Sequence, residues 1–133
     1  MFRGIIDLYV ENGPEATVID FKTGKNEISG PEAKTNLQLA CYQLGVVLDG
    51  FKDKLATTQV SGAQLVYLAS KNKSYSTREQ DALVDVDATE EVLEEIAIGM
   101  GSATFTARKN DMCERCKVKP SCPLYLEGKA VHQ

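Results

Sequence analysis

The chain reads as an α/β protein, a mixed sheet flanked by helices and followed by a cysteine-rich tail. Three observations predict this. Apolar runs of strand length, Gly4–Val10 and Ala16–Lys25, flank a turn signal; a helical apolar stripe follows; and the types then alternate as strand, strand, helix, strand, strand, helix. With 133 residues, 43% of them hydrophobic, the chain is long enough to bury a core of its own.

The first two strands form a β-hairpin in this reading. Asn12-Gly13 is a turn signal and Pro14 cannot donate a ladder bond, so a loop near Asn12 to Glu15 pairs Glu11 with Ala16 and sets Asp7 opposite Asp20. A two-residue Asn12-Gly13 loop would instead set Asp7 opposite Val18. In either register Asp7, Asp20 and Lys22 share one face, because strand side chains alternate. Aspartate is depleted in strand interiors, and two bare carboxylates ~5 Å apart repel by roughly 3 kcal/mol at an effective dielectric of ~20. A divalent cation converts that repulsion into coordination, and Lys22 offsets part of the charge. A structural salt bridge at a strand end is the plainer alternative.

Ser29-Gly30-Pro31-Glu32 opens a helix that is expected to run to about Asp49, with Gly50 as its stop. Leu37, Ala40, Cys41, Leu44 and Leu48 form its apolar stripe, on which Cys41 acts as a small hydrophobe; Gln38 and Tyr42 lie one turn apart on an adjacent face. Ala63 to Ala69 reads as a central strand, Lys71 to Thr77 as a polar turn and Asp81 to Asp87 as a further strand. Thr89, with Glu90 and Glu91, caps a second helix carrying Val92, Leu93, Ile96 and Ala97. Glu90, Glu91, Glu94 and Glu95 make a solvated face.

After Gly101 the composition changes. Between Arg108 and Lys119 five basic residues stand against two acidic ones, a local +3 in a chain of net charge −4. Bulk charge therefore argues against coating nucleic acid, while a local basic strip leaves room for a nuclease with an acidic metal site. The strip contains Cys113-x2-Cys116-x5-Cys122-Pro123, a metal-ligand spacing. The start has no apolar leader and no run long enough to span a bilayer, so a cytoplasmic protein without membrane association is expected, in which metal binding is favoured over disulfides.

Gly4-x2-Asp7, Ile19-Asp20-Phe21-Lys22-Thr23-Gly24, Gln38-x3-Tyr42 and the three-cysteine tail, in this order, resemble the RecB-type branch of the PD-(D/E)xK nucleases. The resemblance runs from about Gly4 to Tyr125 and is nearest to the C-terminal nuclease domains of bacterial RecB, AddAB and AdnAB-like helicase-nucleases. It implies a restriction-endonuclease-like core over 1–108 and a metal or iron-sulfur tail over 109–133. It implies Mg²⁺ or Mn²⁺ at Asp7, Asp20 and the main-chain carbonyl of Phe21. Lys22 would serve the attacking water and the phosphate, and Gln38 and Tyr42 would contact DNA or brace the lysine. Cys113, Cys116 and Cys122 would ligate an iron-sulfur cluster, with zinc as the alternative.

Family members also supply a metal ligand and a first cluster cysteine upstream of the first strand. Neither is in this chain, which is therefore expected to be an N-terminally truncated piece of a larger protein, with His132 solvated near its end. The function implied is a metal-dependent DNA exonuclease domain, coupled to a helicase in double-strand-break processing. The alternatives are a non-catalytic nucleic-acid-binding or scaffolding domain of the same fold, and a zinc-stabilised interaction module.

Overall fold

The computed structural model describes residues 4–69, 74–104 and 106–125. His132 and the start of the expected turn at Lys71 lie outside them. Two compact units are present, one running to Val92 and the other from Leu93.

In the first unit β1 (Leu8–Asn12) and β2 (Glu15–Lys22) form the hairpin, α1 (Gly30–Lys34) and α2 (Leu37–Val47) follow, and β3 (Gln59–Tyr67) and β4 (Ser76–Asp81) complete a sheet of order β1-β2-β3-β4. The outer pairs are antiparallel, and β2 and β3 are parallel across the helical crossover. This is the mixed, helix-flanked sheet of a restriction-endonuclease-like fold. Glu11 pairs with Ala16, the first of the two anticipated registers, around a Gly13-Pro14 turn in which Gly13 takes a positive φ of 64°.

One sheet face and α2 enclose the core, built from Ala16, Val18, Leu39, Val46, Val60, Ala63, Leu65 and Tyr67. Alternation sorts the strands into rows across that face. Val18, Ala63 and Gln80 form one row and Asp20, Leu65 and Arg78 the next. Between Ala16 and Thr17 the β2–β3 register shifts, and the neighbouring Gly62 adopts φ 140°, where an added Cβ would lie 2.7 Å from the Gln80 carbonyl oxygen.

Several expectations need correction. Asp7 precedes β1 rather than lying within it, for reasons given with the site. The single helix is two, because Asn36 accepts from the Leu39 amide at 3.1 Å and starts α2 anew. Its buried face is accordingly Leu39, Gln43, Leu44 and Val46, while Leu37 and Leu48 are exposed; Asp49, at φ 55°, supplies the left-handed turn expected of Gly50. The last strand is Ser76–Asp81, not Asp81–Asp87. It is an edge strand and tolerates polar residues, whereas Val84 is 91% exposed.

Helix α3 begins at Val86 and is capped from Asp85, whose Oδ1 accepts from the Ala88 amide at 2.9 Å, rather than from Thr89. It ends at Gly101 and has no buried residue. In the second unit, short 3₁₀ turns at Cys113–Arg115 and Lys119–Ser121 carry the cysteines. No described helix is long and apolar enough to cross a membrane.

Candidate active site

The parallel pair β2–β3 ends at Lys22 and Tyr67. At the carboxyl end of such a pair, beside a crossover, backbone groups run out of partners and ligands bind. Asp20 and Lys22 occupy that end. Asp20 sits on the core face two residues beyond the buried Val18 and is only 5% exposed. The Lys22 side chain, 30% exposed, reaches back so that Nζ lies 2.7 Å from Asp20 Oδ2.

Gln38 closes the arrangement from the first turn of α2. Its Oε1 accepts from Lys22 Nζ at 2.8 Å, and its Nε2 donates to Asp20 Oδ1 at 3.1 Å and to the Tyr42 hydroxyl at 2.9 Å. The one-turn spacing of Gln38 and Tyr42 makes the last contact possible. The amide thus fixes lysine and carboxylate together. Asp20 Oδ2 is buried from solvent and, beyond its ion pair with Lys22 Nζ, has no hydrogen-bond partner among the described residues.

Asp7 enters through the backbone. Lys22 turns its carbonyl to β3, where it accepts from the Leu68 amide at 2.9 Å, so Phe21 turns both its amide and its carbonyl toward the β1 side. There Asp7 Oδ2 accepts from the Phe21 amide at 2.9 Å. A side chain has replaced the next ladder bond, which is why β1 starts only at Leu8. Asp7 itself is exposed.

Sequence reasoning did not single out Arg78, although alternation along β4 would place it in the row of Asp20. Its Nε donates to the Ile28 carbonyl at 2.8 Å and its Nη2 to Glu27 Oε2 at 2.9 Å, which pins the connection from β2 to α1. Tyr67 accepts from the Ile28 amide at 3.2 Å and holds the same segment.

The donor set suits a hard divalent cation. A buried carboxylate oxygen lacking a hydrogen bond, a second carboxylate and a carbonyl facing the same strand gap are all oxygen donors. Among the described residues, no group of three or more His, Cys, Asp or Glu side chains is arranged to hold a metal. Any ion at Asp7 and Asp20 would thus take much of its shell from water. For the tail the same observation means that Cys113, Cys116 and Cys122 are not gathered as a ligand set, so as arranged they do not fit a cluster. They lie among local contacts instead. The Asn110 amide donates to Cys113 Sγ at 3.2 Å, and Lys119, whose pKa is raised chiefly by its hydrogen bond to Glu114, lies over the Tyr125 ring. Burial likewise pushes the Cys41 thiol up, as expected of a packed hydrophobe.

Among solved structures the chain is similar to the crystal structure of SSO0001, with 17% identity and a TM-score of 0.43; the similarity covers 89% of this chain and 48% of that one. No curated protein matches the chain. The profile of the PD-(D/E)XK nuclease superfamily matches residues 1–123. Nucleases of this superfamily generally use Mg²⁺ or Mn²⁺, and the chain belongs to the PD-(D/E)XK nuclease superfamily.

Proposed function

We propose that this chain is the metal-dependent DNA nuclease part of a helicase-nuclease, acting exonucleolytically in double-strand-break processing, with residues 1–108 as the nuclease core and 109–133 as its cysteine tail. The observation that carries the catalytic reading is the clamp on Asp20. One carboxylate oxygen is fixed by Gln38 and the other, buried and without a hydrogen-bond partner among the described residues, is held beside the Lys22 ammonium. A salt bridge serving stability alone needs neither the glutamine bridge nor an oxygen left without a hydrogen bond.

In this reading Asp7, Asp20 and the Phe21 carbonyl hold Mg²⁺ or Mn²⁺, which when bound polarises the scissile phosphate and acidifies water. Lys22 Nζ, within reach of solvent, steadies negative charge growing on the phosphate oxygens and orients the attacking water. Gln38 keeps that ammonium from swinging away, and Tyr42 orients Gln38 by accepting its second amide proton. The basic residues from Arg108 to Lys119 would add salt-dependent contacts to DNA. The iron-sulfur role of Cys113, Cys116 and Cys122, and the helicase association, rest on the cysteine spacing and the RecB-type resemblance.

Digestion of linear duplex DNA in Mg²⁺ or Mn²⁺ by a protein carrying this chain tests the reading. Lys22→Ala and Asp20→Ala are each expected to lower cleavage by ~10²–10³-fold. Undiminished cleavage in both variants would leave the scaffold reading.

A further inference from the structure

A second amide clamp lies behind the first. Gln43, on α2, is 0% exposed, and Gln80, on the core face of edge strand β4, is 9% exposed. Gln43 Nε2 donates to Gln80 Oε1 at 3.0 Å and to the Asp81 carbonyl at 3.2 Å, while its Oε1 accepts from the Leu83 amide at 2.9 Å. Gln80 Nε2 faces the carbonyls of Ala33, Lys34 and Asn36 at 3.2, 3.2 and 3.0 Å. Turning either amide over would set oxygen against oxygen or donor against donor, so the network has a single orientation.

Those three carbonyls belong to the break between α1 and α2. The Asn36 carbonyl also accepts the first bond of α2, from Ala40 at 3.1 Å, and Gln38 lies two residues further on. We infer that Gln80, held by Gln43, is a positioning residue for the candidate active site: it fixes the start of α2 and thereby sets the Gln38 amide between Asp20 and Lys22. The opposite edge of the sheet thus reaches the reacting groups through one helical turn. The inference rests on the nuclease reading for its catalytic meaning, but not for its geometry.

The test uses the full chain with Gln80→Met, which keeps length and removes every polar contact, and Gln43→Met, which keeps the Gln80 donors but frees its oxygen. The first readout needs no activity. The Gln38 side-chain amide resonance, assigned by its loss in Gln38→Ala, should move toward that of an unbonded glutamine in both variants, and further in Gln80→Met. The second readout is cleavage, where Gln80→Met should lower kcat by ~10-fold or more at unchanged KM. That loss should largely disappear when Gln38 is already alanine. Should Gln80→Met not fold, Gln43→Met carries both readouts. An unmoved Gln38 resonance, or a cleavage loss equally large in the Gln38→Ala background, would overturn the inference. If Gln38→Ala and Asp20→Ala leave cleavage unchanged, the nuclease reading fails instead, and the resonance still decides whether Gln80 positions Gln38.

Discussion

Around Asp20 the chain stacks Val18, Leu39, Leu65 and Tyr67, all buried, and two glutamine clamps fix the polar groups that the core admits. From Leu93 onward no described residue is buried, and the cysteines ride on two three-residue 3₁₀ turns held by local hydrogen bonds. Packing therefore builds the first region before any ligand arrives. The second has no buried apolar residue among those described to set the positions of its sulfurs, so any ligand bound there would have to supply that order. A carboxylate metal site can be pre-formed by a sheet end; a thiolate site in a segment with no buried residue has to be drawn together.

The largest expected break of this contrast comes from the core. Leu39→Ala should cost about 3 kcal/mol in a denaturant titration, because it empties a fully buried position beneath α2. Val118→Ala in the metal-free tail should stay within about 0.5 kcal/mol. A comparable loss from both would mean that the tail is packed as firmly as the sheet.

Gly62 sharpens the contrast within the core. Gly62→Ala would force a side chain into φ 140° and place its Cβ 2.7 Å from the Gln80 carbonyl oxygen. About 2 kcal/mol of stability should be lost, seen as a lower denaturant midpoint. An unchanged midpoint would show that the β3–β4 pair can relax there.

Thiol reactivity gives the smallest effect. Burial raises the Cys41 pKa, so its thiolate forms only at higher pH than an unburied thiol requires, while Cys116 is exposed. Iodoacetamide at neutral pH, followed by peptide mass analysis, should therefore modify Cys116 first and Cys41 last. Early labelling of Cys41 would contradict its assignment to the packed helix.

The hairpin was legible because its signals agree. The Asn12-Gly13-Pro14 turn signal places the hairpin, alternation along β2 puts Asp20 and Lys22 on one face, and the observed register brings Asp7 to the Phe21 amide beside them. The break in the long helix was hidden by an apolar stripe that ran across it; Asn36, two residues before Gln38, was the available signal. Strand β4 was misplaced because an edge strand of Ser-Thr-Arg-Glu-Gln-Asp carries no apolar period. The Gln43–Gln80 clamp has no signature in either period, since a buried amide is recognisable only once its partners are in place. In the tail the cysteine spacing is plain, but spacing alone does not bring three sulfurs together.

Calorimetric titration of the folded chain with Mn²⁺ decides whether Asp20 holds a divalent cation. Binding should be weak and at a single site, lost in Asp20→Ala, reduced in Asp7→Asn and unaffected by Cys113→Ser. Equal binding by the native chain and Asp20→Ala would remove the metal site from Asp20.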